Sequence, residues 1–373
     1  MDNITFAAPC LFGLEGICAD ELKRMEISSV NAENGRVTFK GDHTTLARVN
    51  LHSRYAERVQ ILLGEFYAYS FEELFQGVYR LPWEEWIHRD EAFPVKGHSV
   101  NSALASIPDC QKIIKKAAAK RLGERYHTTW LDESGSKHQI QFLIMKDKVS
   151  ILLDTSGEGL HKRGYRQFAT EAPIKETLAA ALADLSRVRP HSTVVDPFCG
   201  SGTILIESAL KALKIAPGLR RRFSAELWKS VPIEIWSQER ERAFDLIDHS
   251  ASFEAFGYDI DETALELTKS NAHKAGVEQR IHVEKRPISA FEPEWEKAAV
   301  ITNPPYGERL LDQRQAQELY RIMGEKFEKK DGWSYTIISP DEQFEAHFGR
   351  PADKRRKLYN GMIKCQAFMY FKK

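Results

Sequence analysis

Val194-Val195-Asp196-Pro197-Phe198-Cys199-Gly200-Ser201-Gly202-Thr203 decides the fold. An apolar run ends in an acid, and a glycine-bearing turn then opens a second apolar run, Gly202–Leu213, with helical spacing. A strand feeding a helix through such a turn is the repeating unit of an α/β sheet. Gly200 and Gly202 let the backbone approach a ligand closely, and the helix start offers free N–H groups. The stretch is neither G-x-G-x-x-G nor a P-loop, because no Gly-Lys-Ser/Thr follows.

Around this unit the alternation continues. Helix Ile174–Leu185 precedes strand Thr193–Asp196. Strand Ala255–Asp259, helix Glu262–Ala275, strand Ile281–Glu284, strand Ala299–Thr302, helix Gln315–Lys329 and strand Ser334–Ser339 follow. Such a series predicts a doubly wound, mostly parallel sheet. At the end, Asn360-Gly361 between Lys354–Tyr359 and Ile363–Phe371 signals a closing antiparallel hairpin on the sheet edge. Lys214–Phe253, with Pro217, Gly218, the arginine run Arg220-Arg221-Arg222 and two tryptophans, interrupts the series. It reads as an insertion over the ligand-binding end of the sheet.

Upstream of about Gly164 the pattern is different. Strands are expected at Phe6–Cys10, Val37–Phe39, Arg58–Tyr67 and Ala92–Val95, with a hairpin Ile140–Met145/Val149–Asp154. Helices are expected at Leu14–Met25, from Thr44, at Phe71–Gly77, at Trp83–Trp86 and at Ile107–Leu122. This half is α+β and has no nucleotide fingerprint.

Length and composition bound the rest. A chain of 373 residues holds two or three domains, each able to bury its own core. Hydrophobic residues at 42% and charged residues at 28% exclude a disordered chain. With 53 basic and 53 acidic side chains the net charge is zero, so a polyanion must be met by local patches. No apolar run is long enough to cross a bilayer, and the opening residues lack a basic segment before an apolar one. Five scattered cysteines contain no C-x-x-C pair, which speaks for a reduced cytoplasm and against a disulfide framework or metal site.

Two further strand ends carry chemistry. Phe256-Gly257-Tyr258-Asp259-Ile260-Asp261 puts Asp259 at the next strand tip, where an acid accepts both ribose hydroxyl hydrogens. It lies 63 positions after Asp196 rather than about 20, and the insertion accounts for the gap. Asp261 reads as the N-cap of the following helix. Thr302-Asn303-Pro304-Pro305-Tyr306-Gly307 is the third. Its prolines hold the backbone extended and leave carbonyls free, Asn303 adds an acceptor, and Tyr306 offers a flat face. That set suits the exocyclic amine of a nucleobase.

DPFCGSGT, GYDID and NPPYGERL, in that order, resemble class I S-adenosylmethionine-dependent methyltransferases that act on amino groups. Gly159-Leu160-His161-Lys162-Arg163-Gly164-Tyr165-Arg166, Ala172-Pro173-Ile174-Lys175-Glu176-Thr177-Leu178-Ala179 and Leu358-Tyr359-Asn360-Gly361 narrow the resemblance to the RlmL/YpsC branch of THUMP-containing methyltransferases. The likeness is dense over 159–373. It implies a Rossmann-like methyltransferase domain there, a ferredoxin-like segment at 1–55 and an RNA-binding THUMP domain at 56–158. The implied reaction is methylation of guanine N2 in 23S rRNA, or in a precursor particle. The cofactor is S-adenosyl-L-methionine, with neither metal nor membrane involved. Asp196, Pro197, Phe198, Cys199, Gly200, Gly202, Asp259, Ile260, Ser289 and Asn303 are the expected cofactor residues. Asn303, Pro304, Pro305 and Tyr306 are the expected catalytic turn. Where the family usually places an acid for the adenine amine, this chain has Pro287, so a backbone contact at Ile288 or Ser289 takes that place. Cys199 reads as a small buried residue rather than a nucleophile.

Three basic clusters suggest phosphate contacts: a helix bearing Lys112, Lys115, Lys116 and Lys120, the run Arg220-Arg221-Arg222, and Lys354–Lys357 with Arg355 and Arg356. Arg163 is expected to join them. Two rival functions keep the same motifs: adenine-N6 methylation of DNA, and a non-catalytic RNA-binding or assembly role.

Overall fold

Hydrogen bonding of the strands sorts this computed structural model, which describes residues 3–166, 174–306 and 313–371, into two seven-stranded sheets. Ala172-Pro173 and Gly307-Glu308-Arg309-Leu310 of the motifs quoted above lie outside the described residues. The chain divides into two compact units. One comprises Met1–Cys10, Ala19–Leu160 and Arg222–Glu241, and the other Leu11–Cys18, His161–Arg221 and Arg242–Lys373.

The first unit contains β1 (Ile4–Pro9), β2 (Asn31–Glu33), β3 (Arg36–Gly41), β4 (Gln60–Tyr67), β5 (Val95–Val100), β6 (Gln139–Met145) and β7 (Lys148–Asp154), in the order β2-β3-β1-β4-β7-β6-β5. The ferredoxin-like and THUMP segments share this sheet, because β1 pairs with β4 at Phe6↔Ile61 and Ala7↔Gln60. The strand expected at Ala92–Val95 begins instead at Val95, and Ala92 makes only an isolated bridge to Lys137. The β6–β7 turn is Lys146-Asp147, both at positive φ, which the short hairpin connection demands even without glycine.

The insertion departs from expectation. Residues 222–241 belong to the first unit rather than to the ligand-binding end of the second sheet. The indole of Trp228 stacks on His138 at 4.1 Å and donates to the Lys137 carbonyl at 3.0 Å. Lys229 pairs with Asp90 at 2.7 Å, and Arg240 reaches Glu226 at 2.6 Å. Its apolar and charged groups find partners there, and the segment carries a helix, Ile233–Asp245, that the sequence reading lacks.

The second unit contains β8 (Thr193–Asp196), β9 (Glu254–Asp259), β10 (Ile281–Lys285), β11 (Ala298–Thr302), β12 (Trp333–Ser339), β13 (Lys354–Asn360) and β14 (Ile363–Phe371). Their order is β10-β9-β8-β11-β12-β14-β13, parallel through β12 and antiparallel at β14 and β13. The helices Glu176–Leu185 and Thr203–Ala212 are apolar almost all round and correspondingly buried. Helix Gln313–Lys326 turns Ala316, Tyr320 and Met323 inward at helical spacing, onto Val300, Tyr335 and Phe368. Strand order 8-11 beside 8-9 makes β8 the switch point, so the three motif-bearing ends lie side by side.

Candidate active site

Asp196 closes β8 and Thr302 closes β11, and the Thr302 hydroxyl donates to Asp196 Oδ1 at 2.6 Å. Asp196 also accepts the Phe198 N–H at 3.1 Å. Only 1% of Asp196 is exposed, and that burial pushes its carboxyl up to about 7 despite the two donors. Its place is beneath the turn, holding the first and third motifs together.

The glycine turn is shaped from below. Gly200 and Gly202 have φ of +52° and +79°, and Gly202 opens the helix Thr203–Ala212 from a left-handed conformation. A Cβ on Gly202 would lie 2.6 Å from Thr268 Cγ2. The Thr268 hydroxyl donates to the Gly200 carbonyl at 2.8 Å, and Asn271 Nδ2 to the Ser201 carbonyl at 3.0 Å. Both come from the helix Glu262–Ala275, and neither residue is marked by any sequence motif. Cys199 is buried and its thiol is pushed up by burial, as befits an inert packing residue.

Asp259 closes β9, half-buried, with Oδ2 accepting the Gly200 N–H and Oδ1 the Asp261 N–H, both at 3.0 Å. Each carboxylate oxygen keeps a lone pair for a further donor, such as a ribose hydroxyl. Asp261 caps the next helix through the Thr263 N–H at 2.9 Å, as its position suggested. Ile260 is 68% exposed at the strand tip. Ser289 is exposed in the short turn Ile288–Ala290, after β10 and beside β9. The Arg286 N–H donates to the Asp259 carbonyl at 3.1 Å and fixes that turn against the acid.

On the other side of β8, Asn303 follows Thr302. Its Oδ1 is buried and meets no donor among the described residues. Pro304 is buried, while Pro305 and Tyr306 are half-buried. The Tyr306 hydroxyl accepts a bond from Asn360 Nδ2 at 2.8 Å, and burial pushes its phenol up.

A buried ionic cluster packs against the helix Thr203–Ala212 at Thr203 and Glu207. Arg163 lies 3.4 Å from Glu207, and the Tyr165 hydroxyl donates to Glu207 at 3.0 Å. Arg166 pairs with Glu176 at 3.0 Å and donates to the Thr203 hydroxyl at 3.2 Å. This corrects the expectation for Arg163, which is 4% exposed and cannot meet a phosphate. Lys115 is half-buried, bound to Glu133 and 3.4 Å over the Phe93 ring. Lys112, Lys116 and Lys120 do share one exposed helix stripe. Arg355 is exposed but bound to Glu345, and Arg356 donates to the Gly13 carbonyl at 2.7 Å.

Open lone pairs on an acid, a glycine turn at positive φ, an exposed apolar tip and an orphaned acceptor fit S-adenosylmethionine beside an amine. Methyl transfer from that cofactor is the chemistry these parts serve, which places the chain among the class I methyltransferases. Residues 163–368 match the RMKL-like methyltransferase domain, more than half of the chain, and the chain belongs to that family. Residues 5–60 match the RlmL ferredoxin-like domain and 68–154 the THUMP domain. The chain is 39% identical to "Putative RNA methyltransferase YpsC" of Bacillus subtilis (strain 168), over 100% of its own length and 97% of the relative's. It is 33% identical to "Ribosomal RNA large subunit methyltransferase K/L" of Psychromonas ingrahamii, over 97% of this chain but only 49% of that protein. It thus spans about half the length of that relative. Among solved structures, SMU.472, crystallised with SAH, has a TM-score of 0.95 at 40% identity, covering 100% of this chain and 99% of that one. A Listeria monocytogenes (strain 4b F2365) chain, described as a "predicted N6-adenine-specific DNA methylase", has 0.94 at 41%, covering 100% and 97%. Among the described residues no helix is long and apolar enough to cross a membrane.

Proposed function

We propose that this chain methylates the exocyclic N2 amine of a guanine in 23S rRNA, free or within a precursor particle, in the cytoplasm. The observation that carries the reading is the buried Asn303 Oδ1, without a partner among the described residues, just after β11 and next to the strand end that bears the glycine turn. An aromatic amine attacks poorly because its lone pair is delocalised into the ring. Asn303 Oδ1 and the Pro304 carbonyl, accepting its two hydrogens, favour a pyramidal nitrogen with the lone pair free. Pro305 stiffens the turn and Tyr306 stacks on the extruded base. S-adenosylmethionine supplies the methyl as a sulfonium, and positioning with electrostatics does the rest. Asp259 holds the ribose, Ile260 and Ser289 the adenine side. Pro197, Phe198, Cys199, Gly200 and Gly202 line the methionine side, with Asp196 supporting them from below.

In this reading the chain divides at 1–55, 56–158 and 159–373, and its first two parts dock RNA. The THUMP match and the rRNA relatives support RNA over DNA as substrate, although adenine-N6 transfer would use the same turn. A purely binding role has no use for an acceptor without a described partner together with an open carboxylate on the strands that flank β8. The test is mass spectrometry of rRNA nucleosides from a strain lacking the protein. N2-methylguanosine should be missing and should return when purified enzyme acts on that rRNA. Methylated adenine in duplex DNA, with no product in the RNA, would overturn the proposal.

A further inference from the structure

Resting on the proposed role of the Asn303–Tyr306 turn, we infer that Asn360, on the closing hairpin, is the positioning residue that sets the Tyr306 ring for the target base. Strand alternation puts Leu358 and Asn360 on one face of β13, and Leu358 is fully buried. Leu358 pairs with Cys365 across the hairpin, and Asn360 pairs with Ile363 beside the turn Gly361-Met362. Gly361 has φ of +63°, so the reversal falls one residue after Asn360 and leaves its side chain anchored in the ladder. That amide donates to the Tyr306 hydroxyl at 2.8 Å, while Cys365 Sγ lies 3.9 Å from the same oxygen.

Pro304 and Pro305 restrain the backbone leading into Tyr306, so the remaining freedom is rotation of the side chain. A stacking face is useful only when its plane is set before the base arrives. Among the described residues, Asn360 is the nitrogen donor on the hydroxyl that sets this plane. Removing it leaves a part-buried phenol oxygen without that donor and frees the ring to turn. Asn360 itself makes no described contact with the glycine turn or Asp259, so cofactor binding should not sense its loss.

The experiment is a double-mutant cycle on the full chain, using rRNA from a strain lacking the protein as substrate. Asn360→Ala and Tyr306→Phe should each lower kcat about tenfold. Cofactor affinity by calorimetry and KM for cofactor should stay at wild-type values, while the melting temperature falls by no more than a few degrees. The double variant should be no slower than the slower single, because both remove the same bond. Additive losses, a wild-type rate in Asn360→Ala, or a matching fall in cofactor affinity would overturn the inference. A wild-type rate in Tyr306→Ala would instead overturn the reading of the turn itself, so the two failures are distinguishable.

Discussion

Thr302 and Asp196, 106 positions apart, meet at 2.6 Å and join the strand end that bears the glycine turn to the strand end that bears Asn303. The bond lies in a fully buried place, so the two halves of the proposed site are fixed relative to each other before any ligand binds. Preorganisation of this kind matters for a reaction that gains mainly from positioning.

The pH dependence of that link has a definite sign. Asp196 titrates near 7 in the folded state against an ordinary value near 3.8, chiefly through burial. The folded state therefore binds more protons between these limits, and this group's contribution to stability falls as pH rises from about 4 to about 7. At about 1.36 kcal/mol per pH unit the ceiling is ~4 kcal/mol. Asp196→Asn cannot titrate, so its stability relative to wild type should rise with pH across that window. Urea unfolding of both proteins from pH 4.5 to 7.5 measures this, and a pH-independent difference would remove Asp196 as the titrating group.

Gly202→Ala should damage the turn in two separable ways. Its φ of +79° costs any L residue about 1–2 kcal/mol, and the new Cβ meets Thr268 Cγ2 at 2.6 Å. Thr268→Ser removes that methyl and keeps the hydroxyl on the Gly200 carbonyl. The double variant should recover part of the lost stability and cofactor affinity, with the backbone strain remaining. The Thr268 hydroxyl oxygen, 2.9 Å from the new Cβ, stays in place, so recovery is only partial. Thermal melts and calorimetry with S-adenosylmethionine decide; no recovery at all would show that the Thr268 methyl is not what excludes a side chain.

How far the sequence reveals this molecule depends on the range of the interactions. Thr193–Asp196 and Glu262–Ala275 were expected with their observed bounds, because local periodicity and an N-cap such as Asp261 define them. The single sheet of the first unit was not legible. It depends on Phe6 meeting Ile61, and no local pattern encodes a partner so far along the chain. Arg163 misled for the same reason: its neutralising partner Glu207 comes 44 positions later, and nothing nearby in the sequence marks the pair. Asp259 and Asn303 stood out in the sequence because each directly follows or ends an apolar strand run beside a turn. Thr268 and Asn271 were hidden because a hydroxyl or amide holding a backbone carbonyl carries no motif.

Binding and chemistry should separate at the two flanking strand ends. Asp259→Ala should weaken S-adenosylmethionine binding by an order of magnitude or more, since a charge-assisted bond contributes about 1.5–3 kcal/mol. If its oxygen, which meets no donor among the described residues, accepts from the target amine as proposed, Asn303→Ala should abolish methyl transfer with little change in that affinity. Calorimetry and turnover with rRNA distinguish them. Unchanged affinity in the first variant removes Asp259 from the cofactor site, and wild-type turnover in the second removes Asn303 from catalysis.

The lysines of the helix Ile107–Arg125 should divide into two classes. Lys112, Lys116 and Lys120 are exposed at intervals of four, one stripe on a solvent face, and their pairs with Asp109 and Glu124 are loose at 3.7 and 4.0 Å. Such exposed pairs contribute little and yield readily to a phosphate. Reversing all three charges should weaken binding to many structured RNAs alike and flatten the salt dependence by about three contacts' worth of slope. Lys115, on the adjacent face, is engaged by Glu133, the Phe93 carbonyl and the Phe93 ring. Lys115→Glu should therefore lower the melting temperature while the salt slope of RNA binding stays as in wild type. Filter binding from 50 to 300 mM salt, alongside melts, separates the two. A normal melt with a flattened slope for Lys115→Glu would return that residue to the RNA surface.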